Sequence, residues 1–249
     1  MFGIGLTLGW QDVRQSYRRS VLGQLWITLG MGVTIASIGT VFGLIFGAPI
    51  VTFLPYVASG IIMWGLISGT LNDGAKAMIE AEHLIKQIPL PKLVYLIRVV
   101  VRNLIITAHN IVLFPVILLV VGAEVNWSIV LFPFGVFVVV LAISGLSLVL
   151  AICSARFRDV PPIASSVLTV AFYVTPVIWY SDSLRDNELA HLVLGLNPFY
   201  HLLQVSRLPL LGQFPTVENW MVALLCAGFA WLAGTVMLKK FSNRIAYWV

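Results

Sequence analysis

Of the 249 residues, 59% are apolar and only 10% are charged, with a formal net charge of +5. Soluble domains carry about 25% charged residues, so this composition excludes an ordinary cytosolic enzyme, a disordered tail and a coiled coil. The cations follow the apolar pattern instead of gathering in a patch, which argues against nucleic acid as a partner.

Residues 8–20 come first. Trp10, Val13, Tyr17 and Val21 recur at helical spacing, and Asp12, Arg14, Gln15, Arg18 and Arg19 fall on the other face. Such a helix either lies in the membrane interface with its cations toward headgroups or serves as an orientation signal alone. The apolar run behind it is too long for a cleavable signal peptide. No charge occurs between Arg19 and Asp73, 53 neutral positions in a row. A span needs about 20 apolar residues, so this run holds two, 21–46 and 51–71, parted by Gly47-Ala48-Pro49. Gly39, Gly43 and Gly47, with Gly65 and Gly69, predict close helix packing. Thr34, Ser37 and Thr40 either line a polar path or bond across helices.

A loop of residues 73–96 follows. Ala77, Met78, Ala81, Leu84, Ile85 and Ile88 share one helical face, opposite Lys76, Glu80, His83, Lys86 and Gln87. Pro89 and Pro91 end the helix. A helix this brief needs something to cover it, either a soluble partner or the membrane surface. Further neutral runs predict spans at 97–121, 127–152, 162–180 and 219–238. Between the last two lies a segment, 181–218, broken by Asn197-Pro198. It is too interrupted for two spans and fits a re-entrant pair of short helices, which irregular backbone permits only inside protein or beside water.

Six spans put both termini on one side. With that side cytoplasmic, thirteen of the fifteen Lys and Arg residues lie inside and only Arg185 and Arg207 outside, a strong positive-inside bias. Cys153 and Cys226 are expected as small buried hydrophobes without a disulfide.

Catalytic motifs fail on inspection. Gly69 to Lys76 reads GTLNDGAK, but Ala75 separates the glycine from the lysine and a membrane span precedes it, so it is no phosphate loop. Asp73-Gly74 lacks the later paired aspartates of a lipid phosphotransferase. No Gly-x-Ser-x-Gly elbow occurs, and His83, His109, His191 and His201 lack metal-ligand spacing. His109, inside the third span, either serves a function or bonds to a neighbouring helix. Phe172, Tyr173, Trp179, Tyr180, Phe199 and Tyr200 cluster toward the outside, as an interfacial belt or as a ring-lined exit on which sugars stack.

Four segments in order, YRRSVLGQLWITL at 17–29, SARFRDVPPI at 154–163, TPVIWY at 175–180 and LNPFYHLLQVSR at 196–207, resemble the membrane permease of ABC-type polysaccharide exporters. That group handles O-antigen, capsule and teichoic-acid polymers, and the resemblance covers nearly the whole chain. It implies an all-α membrane protein with six transmembrane helices, an N-terminal interface helix, a cytoplasmic coupling helix and external re-entrant gate helices. It further implies a homodimer in the bacterial inner membrane with two separate ATPase subunits, which would carry ATP and Mg, and a lipid-linked glycan as cargo. No cofactor, metal or catalytic residue is expected in this chain.

By the same resemblance, Glu80, Glu82, His83 and Lys86 would dock on the ATPase. Arg14, Tyr17, Arg18 and Arg19 would meet the lipid diphosphate. Phe172, Tyr173, Trp179, Tyr180, Asn197, Phe199, Tyr200 and Arg207 would form channel or gate, with walls from the first and fifth spans and the second as a further candidate. Teichoic acid, capsule, drug or lipid export is the alternative cargo. A membrane-embedded enzyme would need paired acids at depth, and a secondary transporter would need buried carboxylates or an internal repeat; the sequence offers neither.

Overall fold

A computed structural model describes residues 2–16, 18, 20, 22–88, 90–124, 126–181 and 188–249, the side chains of 189–191 excepted. Every regular element among them is helical. In chain order they are α1 (Phe2–Ser16), α2 (Leu25–Phe46), α3 (Ile50–Glu80), α4 (Glu82–Gln87), α5 (Leu93–Ile111) and α6 (Leu113–Val121). A 3-10 turn at Trp127–Leu131 leads into α7 (Phe132–Arg156), followed by α8 (Val160–Val174), α9 (Glu188–Leu196), α10 (Pro198–Leu210) and α11 (Val217–Trp248).

Five helical stretches are long and apolar enough to cross a membrane: 25–46, 50–80, 93–121, 127–156 and 217–248. The protein is therefore multi-pass. The first two meet in the expected hairpin, where Gly47 takes φ +60° at the end of α2 and Pro49 opens α3, each residue suiting the backbone it adopts. The third stretch is interrupted between Ile111 and Leu113. Pro115 lacks the N–H that would bond back to Ile111, and its ring crowds that carbonyl.

The expected fifth span, 162–180, is shorter than drawn. α8 opens on Pro161-Pro162 and ends at Val174, because Thr175 precedes a proline and is extended (ψ 134°). Its 15 residues reach about 22 Å, short of the roughly 30 Å hydrocarbon core. The second span is longer than drawn. α3 runs straight through Asn72, Asp73 and Gly74 to Glu80, since two polar residues and one glycine cost too little to end a packed helix.

α3 and α7 form the centre, with α11 and α10 against α7 and α8 against α3. Four apolar clusters form among the described residues, two of them large. One joins α3, α7, α8, α10 and α11 around Met63, Ile67, Ile143 and Leu203. The other gathers at the end where α4, the start of α5 and the ends of α7 and α11 meet, around Met78, Tyr95, Leu148 and Ile245. α1 lies at this same end against α5, and α9 and α10 sit at the opposite one.

Candidate functional site: a basic cavity, an aromatic groove and a buried arginine

The expected interface helix begins earlier than residue 8, and its packing face is not the aromatic stripe. Gly5, Gly9 and Val13 are buried, whereas Trp10 is half exposed. A Cβ on Gly5 would lie 2.6 Å from the Ile97 side chain, and one on Gly9 would lie 2.7 Å from the Arg98 carbonyl oxygen. Four-residue spacing of glycines lets α1 and α5 approach until their backbones nearly touch. Arg98 then donates from Nε and Nη2 to both carboxylate oxygens of Asp12, at 2.6 and 2.8 Å. That paired fork is the strongest geometry available to such an ion pair. Asp12 thus serves attachment, while the remaining cations of the helix stay available.

Those cations face a cavity of about 890 Å³ lined by Gln11, Arg14, Gln15, Arg18, Gly23, Gln24, Leu25 and His109. Tyr17 and Arg19 lie outside the described residues. Among the described residues neither Arg14 nor Arg18 forms an ion pair. His109 Nδ1 sits 2.8 Å from the Ile105 carbonyl oxygen, and the Thr28 hydroxyl donates to the His109 carbonyl at 3.2 Å, tying α2 to α5 beneath the cavity. Glutamines and His109 were not singled out from sequence for this place; only the fold brings positions 11–25 and 109 together. An open, cationic, amide-rich cavity can bind a diphosphate, because guanidinium forks match phosphate oxygens and side-chain amides supply further donors.

The expected coupling helix, 76–88, is divided. Residues up to Glu80 finish α3, Ala81 turns, and α4 continues from Glu82. Ala77, Met78, Ala81 and Ile85 are buried as the periodicity requires, but by this chain's own α5, α7 and α11. No soluble partner is needed to cover that face. What remains outward is polar: Glu80, His83 and Lys86 are exposed, with Ile88 beside them. Lys86 donates to Glu82 at 2.6 Å and holds its carboxyl below the usual carboxylate range.

At the opposite side of α3, a groove of about 260 Å³ is lined by Trp64, Ser68, Asn72, Ser165, Leu168, Thr169, Phe172 and Tyr173. Hydroxyls and an amide alternate there with aromatic faces, a combination able to bond sugar hydroxyls and stack on sugar rings. The six expected aromatics do not form one ring. Trp64 gathers Phe172 and Phe199 at 5.8 and 5.7 Å between centroids. Tyr180 instead packs on Tyr56 and Phe53, at 4.4 and 5.5 Å. Trp179 donates to the Tyr173 carbonyl, and Tyr200 meets His201 edge to face. Thr34, Ser37 and Thr40 of α2 are all exposed.

Asn197 caps α10, accepting from the Phe199 N–H at 3.0 Å, while its amide donates to the Thr175 hydroxyl at 2.9 Å. The α9–α10 turn is thereby fastened to the end of α8. Arg207, expected on the external side and in the channel or gate, is 1% exposed. Its Nη1 donates to the Pro176 carbonyl at 2.7 Å, Nη2 to Gln204 Oε1 at 3.2 Å, and the guanidinium carbon stands 4.2 Å from the Tyr56 ring centroid. The Tyr56 hydroxyl points at the Trp179 and Pro176 carbonyls, 2.7 and 3.2 Å away. Tyr56 and Gln204 escaped the sequence reading. A tyrosine within an otherwise apolar span was the available signal, since its hydroxyl must find a partner there.

A family profile described as "ABC-2 type transporter" matches residues 5–211. The chain is 28% identical over 201 residues to the "O-antigen export system permease protein RfbA" of Myxococcus xanthus, covering 81% of this chain and 77% of that one. Two proteins of the same description from Klebsiella pneumoniae are 23% identical over 211 residues, covering 78% and 79%, and 22% identical over 254 residues, covering 99% and 95%.

Proposed function

This chain belongs to the ABC-2 type transporter family, and on that premise we propose that it is the permease of an exporter moving a lipid-linked polysaccharide, an O-antigen, across the bacterial inner membrane. The observation that carries this reading is the Arg14–Arg18 cavity at the membrane-surface helix. Arginines without acidic partners among the described residues, beside glutamine amides, suit the diphosphate that links a glycan to its lipid. The relatives' descriptions as O-antigen export permeases support the cargo.

Two copies of the chain would work with two ATPase subunits, both termini being cytoplasmic. The headgroup would be held at Arg14, Arg18 and Arg19, with Tyr17 beside them. The hydroxyl and aromatic groove of α3 and α8 would be half of a channel wall, completed by the second copy. Its sugar contacts are stacking and weak hydrogen bonds, which let a polymer slide because no single register is favoured. α8 and the non-helical 175–180 segment together would cross the membrane as the fifth of six spans, and α9 and α10 would form the gate around Asn197 and Arg207. ATP binding on the partner would move the exposed Glu80, Glu82, His83 and Lys86 face. Since the apolar side of that face is rooted in α5, α7 and α11, the movement would be transmitted to three helices together.

The test is complementation of a strain lacking this chain. Arg14→Ala/Arg18→Ala should leave co-purification of the ATPase intact while surface polysaccharide falls at least tenfold and lipid-linked glycan accumulates inside. Unchanged surface polysaccharide in the strain lacking the chain altogether would overturn the cargo and favour drug or lipid export.

A further inference from the structure

We propose that the groove between the ends of α7 and α11 is a binding site for an anionic phospholipid, separate from the cargo path. The groove holds about 320 Å³. α7 contributes Ile152, Cys153 and Arg156, and α11 contributes Met237, Phe241, Arg244 and Trp248. The four α11 residues recur at spacings of four, three and four, so one face of that helix changes from apolar to basic to aromatic toward its end. Ile152, Met237 and Phe241 form an apolar wall, and Arg156 and Arg244 form a basic rim.

Charge complementarity selects the headgroup. Among the described residues neither arginine has an acidic partner. Arg156 instead stands 5.4 Å from the Trp248 ring centroid and 5.9 Å from that of Phe157, which keeps its fork above the groove. α7 contains no acidic residue, and the one acid of α11, Glu218, is at that helix's far end; Asp159, just past α7, is the one acid near the rim in sequence. Lys239 and Lys240 add further positive charge on α11. Basic pockets between spans at the cytoplasmic side bind phospholipid headgroups through this chemistry.

The apolar wall selects a lipid over an acidic protein surface. α11 carries an exposed row, Leu225, Phe229, Leu232 and Val236, each more than half exposed and spaced for one helical face, as a lipid-facing side requires. Met237 adjoins the end of that row, so the groove continues a surface that acyl chains already cover. Trp248 at the rim suits the interface, where an amphipathic ring sits at headgroup level. A headgroup held by Arg156 and Arg244 would lay its chain along Phe241, Met237 and Ile152. The site rests on the orientation proposed above only for its assignment to the inner leaflet.

The full chain, reconstituted in nanodiscs, tests this without any transport measurement. Trp248 fluorescence is isolated as the difference between the natural protein and Trp248→Phe. It is quenched with brominated phosphatidylglycerol or brominated phosphatidylcholine in a phosphatidylcholine background. Half-quenching by phosphatidylglycerol is expected at a mole fraction roughly 25-fold lower, since each of the two arginines contributes about fivefold at such a surface and the factors multiply. Arg156→Gln/Arg244→Gln should bring the two lipids together, whereas Arg156→Lys/Arg244→Lys should keep part of the preference. Unchanged phosphatidylcholine quenching certifies that the variants are folded.

Equal quenching by both lipids in the natural protein overturns the proposal, as does a preference that survives the glutamine variant. A lost ATPase association in the glutamine variant, with no lipid preference in the natural protein, assigns the groove to the ATPase instead. Failure of the polysaccharide reading leaves these outcomes unaffected.

Discussion

Two sets of arginines sit at opposite ends of this protein and do opposite things. Arg14 and Arg18 line an open cavity without ion-pair partners among the described residues, while Arg207 is enclosed and engages two acceptors and an aromatic face. The open pair costs little to solvate and keeps its donors for a ligand. The enclosed one has lost its water, so its neighbours must replace it, and it binds the unwound 175–180 segment to α10. Residue type alone does not separate a binding cation from a structural one; what surrounds the guanidinium does.

The largest expected effect falls on the enclosed site. Arg207→Ala leaves the Gln204 amide oxygen buried without a donor and the Pro176 carbonyl with only the longer Tyr56 contact, which should cost on the order of 3 kcal/mol. Tyr56→Phe removes one hydroxyl donor and should cost about 1 kcal/mol. Equilibrium unfolding in mixed micelles measures both, and a loss under 1 kcal/mol for Arg207→Ala would place that side chain with the open pair. Next in size is the α1–α5 attachment. Gly9→Ala pushes a methyl against the Arg98 backbone, which cannot yield, and should cost about 2 kcal/mol. Its readout is faster hydrogen exchange across α1.

Asp12→Ala, which strips the fork from Arg98, should cost about 1.5 kcal/mol. Both groups are about three-quarters or more buried, so solvent screening is limited. Arg14→Ala and Arg18→Ala should each change stability by under about 0.5 kcal/mol, though export should fall. A large stability loss there would dissolve the contrast. Smallest is Lys86→Ala, which should return the Glu82 carboxyl to its ordinary range, read by carbon NMR of labelled protein in micelles. Because that carboxyl is lowered in the fold, the pair helps above the ordinary glutamate range and is lost as pH falls through the lowered value. Contact with solvent on both side chains keeps its contribution slight.

Much of the architecture could be read in advance where the signal is local. Gly47-Ala48-Pro49 turns the first hairpin because a glycine and a proline adopt backbone angles that others resist. Asn197-Pro198 opens α10 because a side-chain cap and a missing N–H both suit a helix start. The apolar face Ala77, Met78, Ala81 and Ile85 is buried as its spacing demands. Where the reading missed, a weak local signal was outvoted by packing. Asn72-Asp73-Gly74 resembles a loop, yet Gly74 sits where a Cβ would press within 2.5 Å of Ser147, and Asp73 accepts from Asn103 at 2.9 Å. Contacts with α5 and α7 carry α3 through it.

The amino-acid sequence by itself determined that this is a multi-pass helical membrane protein, because excluding charge from stretches of 20 residues or more is a property of composition along the chain. It also determined where the cations lie along the chain relative to the neutral stretches. Only the tertiary structure decided which cations are free. Asp12 and Arg98 are 86 positions apart, Arg207 and Pro176 are 31 apart, and Gln24 and His109, which share a cavity, are 85 apart. Pairings of that kind depend on which helices touch. That is decided by close approach at Gly5 and Gly9 and by the summed burial of many side chains, not by any residue's immediate neighbours.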